Sequence, residues 1–236
     1  MKPLIIAHRG ASAYAHENTL EAFRIAMEMG ADMIEFDVRR TGDDVLILSH
    51  DDSIEGNFIT NLTYDEIHGI AMDAGYLIPT LEETFKLTMG KIKLDIELKE
   101  DGYAVRVAEL AMNYMEAADF VITSSLDSAV KAVKSSYPEV RTGLILGARP
   151  VTRLPHSLFS ERRVRDTAVD ILAVDRKLLR LGFMRVAKRL GLPVFVWTVN
   201  DRKLIGKLLS TDGVAGIFTN KPDVGLLLRE MHSRSK

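Results

Sequence analysis

The sequence predicts an α/β barrel of eight parallel strands, each followed by a helix or by a loop long enough to hold one. Three observations lead there. Short apolar runs alternate with amphipathic helical patterns from one end of the chain to the other. The runs are continuously apolar, as strands of a parallel sheet covered on both faces are. Eight such units in 236 residues favour closure into a TIM-type (β/α)8 barrel over an open sheet, with residues 1–236 forming a single domain.

Leu4 to Ala7 is the first strand. Asn18 suits the N-cap of the first helix, with Glu21 three residues on as a capping box requires. Leu20, Phe23, Ile25, Ala26 and Met29 give that helix its apolar stripe, and Gly30 ends it. Met33 to Val38 is the second strand. Thr41-Gly42 and Asp43-Asp44 supply turn chemistry before a further apolar run, Val45 to Leu48, and a short insertion follows this second strand. Ile92 to Leu98 is the third strand and Ala104 to Met115 a helix. Phe120 to Thr123 is a strand, followed by a helix from Leu126 to Val133 begun by Ser124 or Ser125. Gly143 to Leu146 and Ile171 to Val174 are strands, and Leu178 to Leu190 is a helix. The turn Gly191-Leu192-Pro193 leads into the strand Val194 to Trp197. Lys203 to Leu209 is a helix and Val214 to Phe218 the last strand. Pro222 opens a closing helix that runs to Met231, with Asn220 as its cap and a frayed tail from Ser233. Between Arg149 and Ala168 the text is rich in Arg and Pro and assigns no helix.

Composition narrows the function classes. A net charge of −2 gives the chain no electrostatic appetite for nucleic acid or an anionic membrane. With no cysteine there are no disulfides and no zinc–thiolate site. No apolar run approaches membrane-spanning length, and the N-terminal run is too short for a signal peptide, so a cytoplasmic protein without membrane insertion is expected. Self-association into a homo-oligomer is left open.

Charge stands where buried strands end. His8-Arg9-Gly10 follows strand one, Glu35-Phe36-Asp37 closes strand two, and Asp95-Ile96-Glu97-Leu98-Lys99 closes strand three. An unpaired buried ion costs several kcal/mol, on the order of a typical domain's whole stability margin, so three such strand ends imply a shared polar site. In a (β/α)8 barrel the strand C-termini are where an active site lies. Strand alternation puts Glu35 and Asp37 on one face of their strand, and likewise Asp95, Glu97 and Lys99 on one face of theirs. Glu35, Asp37 and Glu97 then form an all-oxygen site that selects Mg²⁺ or Ca²⁺ over zinc, with Mn²⁺ admitted by the same donors. The competing reading is an ion network with Arg39 or Arg40, or with Lys99 neutralising Asp95 or Glu97. Trp197, at a strand's C-terminal end, is partly core and also suits the floor of a substrate pocket. His68, His156 and His232 have no partner motif and are read as surface residues; the arginines at 141, 149, 153, 162, 163 and 165 form a basic stretch read as a solvated face, with a grip on an anionic head group as the lesser alternative.

With these residues in view, the chain resembles the glycerophosphodiester phosphodiesterase family. The resemblance is carried by His8-Arg9-Gly10, Glu17-Asn18-Thr19, Ile34-Glu35-Phe36-Asp37-Val38, Ser49-His50-Asp51-Asp52, Ile78-Pro79-Thr80-Leu81-Glu82-Glu83 and Ile96-Glu97-Leu98-Lys99. Val196-Trp197-Thr198-Val199-Asn200 and Thr219-Asn220-Lys221-Pro222 complete it. No one motif is specific; the ordered set is. It implies a TIM barrel that hydrolyses glycerophosphodiesters, small molecules, to glycerol 3-phosphate and an alcohol. It further implies that His8 and His50 are the general acid and base, in an order left open. Glu35, Asp37 and Glu97 would hold one divalent cation, Arg9 would contact the phosphate, and Lys99 would lie beside both. Attack by water and attack by the substrate's own glycerol hydroxyl both remain open.

Ser53-Ile54-Glu55-Gly56-Asn57-Phe58 departs from the Arg-Thr-Thr-like run of many members, and the segment from Asp51 to Ile78 is shorter than their usual insertion. His16 replaces a usual proline, and Asp95 a common amide. These departures bear on substrate range more than on chemistry. Alternatives are a lysophospholipase D-type activity, which needs an apolar groove at the mouth, and a barrel that only binds a phosphodiester.

Overall fold

Strands and helices alternate along the chain: β1 (Leu4–His8), α1 (Leu20–Glu28), β2 (Met33–Arg40), β3 (Leu46–Leu48), β4 (Ser53–Ile54), β5 (Asn57–Phe58), α2 (Tyr64–Asp73), α3 (Leu81–Thr88), β6 (Lys93–Leu98), α4 (Ala104–Tyr114), β7 (Phe120–Ser124), α5 (Asp127–Ser136), β8 (Arg141–Leu146), α6 (Glu161–Thr167), β9 (Ile171–Asp175), α7 (Phe183–Leu190), β10 (Val194–Trp197), α8 (Arg202–Leu208), β11 (Val214–Thr219) and α9 (Pro222–Arg234). The computed structural model describes residues 2–147 and 161–234. Parallel pairing runs β1–β2–β6–β7–β8–β9–β10–β11, and β11 pairs back onto β1, so the sheet closes. This is the eight-stranded (β/α)8 barrel expected from the sequence. β3 extends it as an antiparallel flap on the end of β2, with Val38 opposite Leu48.

Alternation along each strand divides the core in two. Ile6, Met33, Val121, Ile171, Ala173, Phe195 and Phe218 point inward and fill the lumen, where Phe195 and Phe218 meet edge to face with ring centroids 5.9 Å apart. Their neighbours Ile34, Phe36, Val38, Leu94, Ile96 and Leu98 point outward and pack with Phe23, Phe85, Val107 and Val133 of the helices. Each such buried side chain contributes about 1.5–3 kcal/mol. The same inward positions nearer the strand C-termini carry His8, Glu35, Asp37 and Glu97, so polar groups lie at the mouth, above an apolar plug.

The insertion after β2 is more structured than the sequence reading, which assigned no helix between Leu48 and Ile92. The β4–β5 hairpin and α2 enclose their own core of Ile47, Ile54, Ile59, Ile67, Ala71 and Ile78. α2 and α3 each open on a full capping box, Thr63 with Glu66 and Thr80 with Glu83.

Several boundaries differ from expectation. The cap of α1 is Thr19, which accepts from the Ala22 N–H; Asn18 sits one residue earlier at φ +57° with its side chain engaged elsewhere. α5 starts at Asp127 with no side-chain cap, because Ser124 accepts from the Leu126 N–H while donating to the Leu98 carbonyl. The helix expected over Leu178 to Leu190 is broken at Gly182, whose φ of +77° separates a 3₁₀ turn (Arg176–Leu181) from α7. α9 runs through Ser233, whose hydroxyl donates to the Arg229 carbonyl; residues 235–236 lie outside the described residues. In the Arg-rich stretch α6 forms, and Arg163 pairs with Asp127 at 2.6 Å. Arg149, Arg153 and His156 lie outside the described residues. Among the described residues no helix is long and apolar enough to cross a membrane.

Candidate active site

Parallel register assembles the site. His8 on β1 is opposite Glu35 on β2, Glu35 is opposite Asp95 on β6, and Asp37 is opposite Glu97. Glu35, Asp37 and Glu97 bring one carboxylate oxygen each within 4.8 Å of one another. Gly10 makes the turn after β1 feasible. Its φ is +80°, and a Cβ there would come within 2.7 Å of Ala22 Cβ, so only glycine lets α1 pack against the His8-Arg9 turn.

Asp37 is the best-held group. Asn18 Nδ2 donates to its Oδ2 at 2.9 Å, and its backbone N–H donates to Asn18 Oδ1 at 3.2 Å. Arg9 Nε lies 3.0 Å from Oδ2 and Lys99 Nζ 2.7 Å from Oδ1. Burial alone would raise the Asp37 pKa, but Lys99 and Arg9 outweigh it and hold the carboxyl well below the usual range. Arg9 is a cation in turn: burial opposes its charge, and Asp37, Glu35 and Glu17 more than offset that. Its Nη1 meets Glu17 Oε1 at 2.8 Å, and its backbone N–H donates to Glu35 Oε2 at 2.8 Å. Lys99 also meets Glu97 at 2.5 Å. The network reading of the sequence holds for Lys99 with Glu97 and is corrected for the arginines: Asp37 pairs with Arg9 and Lys99, while Arg40 pairs with Asp44 and Arg39 with Glu100.

Two cations do not neutralise the acids. Burial, with Asp37 and Glu97 nearby, pushes Glu35 well above the ordinary carboxylate range. Burial and Asp37 raise Glu97 to about 7 despite Lys99. Asp95, one layer deeper, is pushed to about 8 by burial; Thr123 donates to its Oδ1 at 2.6 Å, and Oδ2 has no hydrogen-bond partner among the described residues. Oxygen-only donors with more carboxylates than cations among them fit a hard divalent cation. These three residues could hold one.

His8 is fixed from one side. Its Nδ1 lies 2.8 Å from Asn220 Oδ1, while Nε2 faces Thr198 Oγ1 at 3.4 Å and Glu35 Oε2 at 4.0 Å. Burial, then Arg9, lowers its pKa to about 4, so the ring is neutral. Asn220, expected to cap α9, thus serves His8 instead. His50 Nδ1 meets Asp51 Oδ1 at 2.8 Å.

A cavity of about 100 Å³ is lined by His8, Arg9, Glu35, His50, Glu97, Lys99 and Trp197, with Thr123, Ile145, Ala173 and Phe218. Seven of the eight residues singled out in the sequence line it, and Asp37 lies against it through the carboxylate cluster. Trp197 Nε1 is buried without a hydrogen-bond partner among the described residues. A neighbouring cleft shares His50 and is lined mainly by polar residues, among them Glu17, Ser49, Asp51 and Glu55; there His16 and Tyr76 stack with centroids 3.7 Å apart. Sequence reasoning missed the contacts of Asn18, Thr198 and Asn220 with this site. The signal was present, since all three stand in the motifs quoted above.

Comparison with known proteins extends the picture. A family model described as "Glycerophosphoryl diester phosphodiesterase family" matches residues 8–224. A protein of Caldanaerobacter subterraneus named glycerophosphodiester phosphodiesterase is 30% identical over 94% of this chain and 96% of its own length. The crystal structure of a glycerophosphodiester phosphodiesterase from Parabacteroides distasonis is 28% identical, with a TM-score of 0.78 over 100% of this chain and 99% of that one. An Oleispira antarctica phosphodiesterase, solved with the product sn-glycerol-3-phosphate, shares the fold at a TM-score of 0.82 with 23% identity, each chain being covered over 97%.

Proposed function

The chain belongs to the glycerophosphoryl diester phosphodiesterase family, and from that premise we propose that it hydrolyses glycerophosphodiesters to glycerol 3-phosphate and an alcohol with the help of one divalent cation. The observation that carries this reading is the convergence of two histidines, two cationic side chains and three carboxylates on one small cavity. That the Oleispira enzyme holds sn-glycerol-3-phosphate supports the choice of product.

Glu35, Asp37 and Glu97 would hold the cation, Mg²⁺ or Ca²⁺ first and Mn²⁺ as a substitute. When bound it would offset phosphate charge and stabilise the charge that grows in the transition state. Arg9 and Lys99 add positive charge at the cavity wall, where an anionic phosphodiester would sit. Glu17 and Asp37 hold the Arg9 guanidinium, so little ordering entropy is left to lose when phosphate arrives. With Nδ1–H donating to Asn220, His8 presents an unprotonated Nε2 to the cavity. We assign it as the base that takes the proton of an attacking water as its oxygen bonds to phosphorus; attack by the substrate's own glycerol hydroxyl would give a cyclic phosphate that water then opens. The P–O bond to the alcohol breaks, and His50 then protonates the departing oxygen. Trp197 floors the pocket. One barrel domain carries all of these groups.

The polar lining of the cleft beside His50 favours short alcohol parts over an acyl chain, hence glycerophosphodiesters over lysophospholipids. The test is release of glycerol 3-phosphate from glycerophosphocholine and glycerophosphoethanolamine with Mg²⁺, Ca²⁺, Mn²⁺ or EDTA, and choline release from lysophosphatidylcholine in parallel. Release that needs a metal and stops with EDTA is expected. Folded protein that releases nothing with any ion, or acts only on the lysophospholipid, overturns the reading.

A further inference from the structure

Arg39 is a half-buried cation beside the site that the mechanism above does not use. It follows Asp37 by two positions on β2, so its side chain leaves the same face of the strand one step nearer the rim. It does not line the catalytic cavity, as Arg9 and Lys99 do. Nε and Nη2 instead both donate to the backbone carbonyl of His50, at 3.1 and 2.9 Å. Nη1 pairs with the Glu100 carboxylate. Glu100 is anchored in turn: its N–H donates to the Tyr103 hydroxyl at 3.2 Å, and that hydroxyl donates to the Val38 carbonyl at 2.6 Å. The clamp thus begins and ends on β2, the strand that bears Glu35 and Asp37.

His50 needs such a clamp. It lies beyond β3, outside the barrel strands, and its ring partner Asp51 is largely exposed. The only other tie to β2 in its immediate neighbourhood among the described hydrogen bonds is the Ser49 N–H on the Asp37 carbonyl, at 3.1 Å. We propose that Arg39 is the positioning residue for His50: its planar fork sets the height of His50 over the carboxylate cluster, and Glu100 holds the fork in plane. A lysine could offer the carbonyl only one point donor in place of the fork. The inference rests on the proposed catalytic role of His50. Displacing a reacting group by about 1 Å costs roughly a hundredfold in rate.

A double-mutant cycle tests it. Turnover of glycerophosphocholine at saturating Mn²⁺ is measured for Arg39→Gln, His50→Ala and the pair, with Arg39→Lys and Glu100→Gln alongside, and Mn²⁺ affinity is read by calorimetry. Arg39→Gln should lower kcat roughly ten- to a hundredfold, with KM and Mn²⁺ affinity changed by no more than about twofold. Arg39→Lys should recover part of the loss. In the His50→Ala background, Arg39→Gln should cost nothing further. An equal loss in both backgrounds overturns the proposal, as does unchanged kcat or a loss confined to KM, which would make Arg39 a phosphate contact. Should Arg39→Gln fail to fold, Arg39→Lys and Glu100→Gln carry the same cycle. A His50→Ala variant with wild-type turnover defeats the catalytic reading of His50 itself, a result distinct from a neutral Arg39.

Discussion

Asn18 and Asp37 are joined by two hydrogen bonds, the amide donating to the carboxylate and accepting from the backbone N–H of the same residue. The contact crosses from the loop before α1 to the middle of the site and holds Asn18 at φ +57°. Asn tolerates that region better than most residues. The residue that sequence reasoning made a helix cap is thereby the one that aims a carboxylate of the proposed metal site.

Asn18→Ala should lower divalent-metal affinity about ten- to a hundredfold, as loss of an outer partner of a metal ligand does. Asn18→Gly separates causes, since it relieves the positive φ without restoring either hydrogen bond. Calorimetric titration of Mn²⁺ should find both variants weakened alike. Wild-type affinity in Asn18→Gly would mean that backbone conformation, and not the amide, matters.

Among the carboxylates, Asp37→Asn should be the most damaging. It weakens metal binding and also removes the buried carboxylate that Arg9 and Lys99 share, leaving each with one acidic partner, Glu17 and Glu97, so its Tm should fall the most of the three. Glu35→Gln and Glu97→Gln should lose metal binding and activity with a smaller change in Tm. Thermal melts with and without metal check this. Near-normal turnover in any of the three would remove that residue from the ligand set.

The pH dependence has a definite sign. Glu35 is raised and Glu97 is raised to about 7, so the metal-free fold holds protons that the unfolded chain releases near 4.5. Their contribution to stability is present at low pH and is lost as pH rises towards 7. A divalent cation binds the deprotonated acids, so its affinity should fall about tenfold per pH unit below about 7 for each proton displaced. The rise in Tm on adding Mn²⁺ should therefore be larger at pH 8 than at pH 6. A rise that is flat with pH would sink the assignment of Glu97 as a ligand.

His8→Ala and His50→Ala should each lower kcat on the order of 10²–10⁴-fold with the circular-dichroism spectrum unchanged. Asn220→Ala should act through His8: kcat falls less than in His8→Ala, and the double variant is no worse than His8→Ala alone. An additive loss would detach Asn220 from the imidazole.

Gly10→Ala should destabilise the fold by about 1–3 kcal/mol, because the added methyl meets Ala22 in a backbone conformation that alanine disfavours. Activity at low temperature should fall as well, since the same turn carries His8 and Arg9. An unchanged Tm would show that α1 can move away freely.

Much of this site was legible in the chain. Charged residues at the ends of apolar strands marked Glu35, Asp37, Glu97 and Lys99, because a two-residue period fixes which side chains share a face and the barrel fixes which strand ends share a site. The number and order of the barrel strands followed from the same period. α2 and α3 were legible too, in the Thr-x-x-Glu spacings at Thr63 and Thr80; α2 turns its apolar residues to a separate small core in place of a face for the barrel, while α3 packs Leu81 and Phe85 into the main core.

Other assignments needed the closed barrel. A short polar residue before a helix reads the same whether it caps that helix or reaches across the mouth, and local spacing carries no information on which. Asn18, Ser124 and Asn220 were each open to a capping role. In the fold Asn18 binds Asp37, Ser124 ties β7 to the end of β6, and Asn220 holds His8, 212 positions away in the chain. The sequence by itself determined the residue types, their alternation and their order, and with them the barrel and its acidic mouth. Tertiary structure alone decided the partners: which cation neutralises Asp37, which amide orients His8, and which arginine grips His50. Those choices depend on distances between strands and loops remote in sequence, where a buried charge or amide takes whichever partner closure brings within about 3 Å.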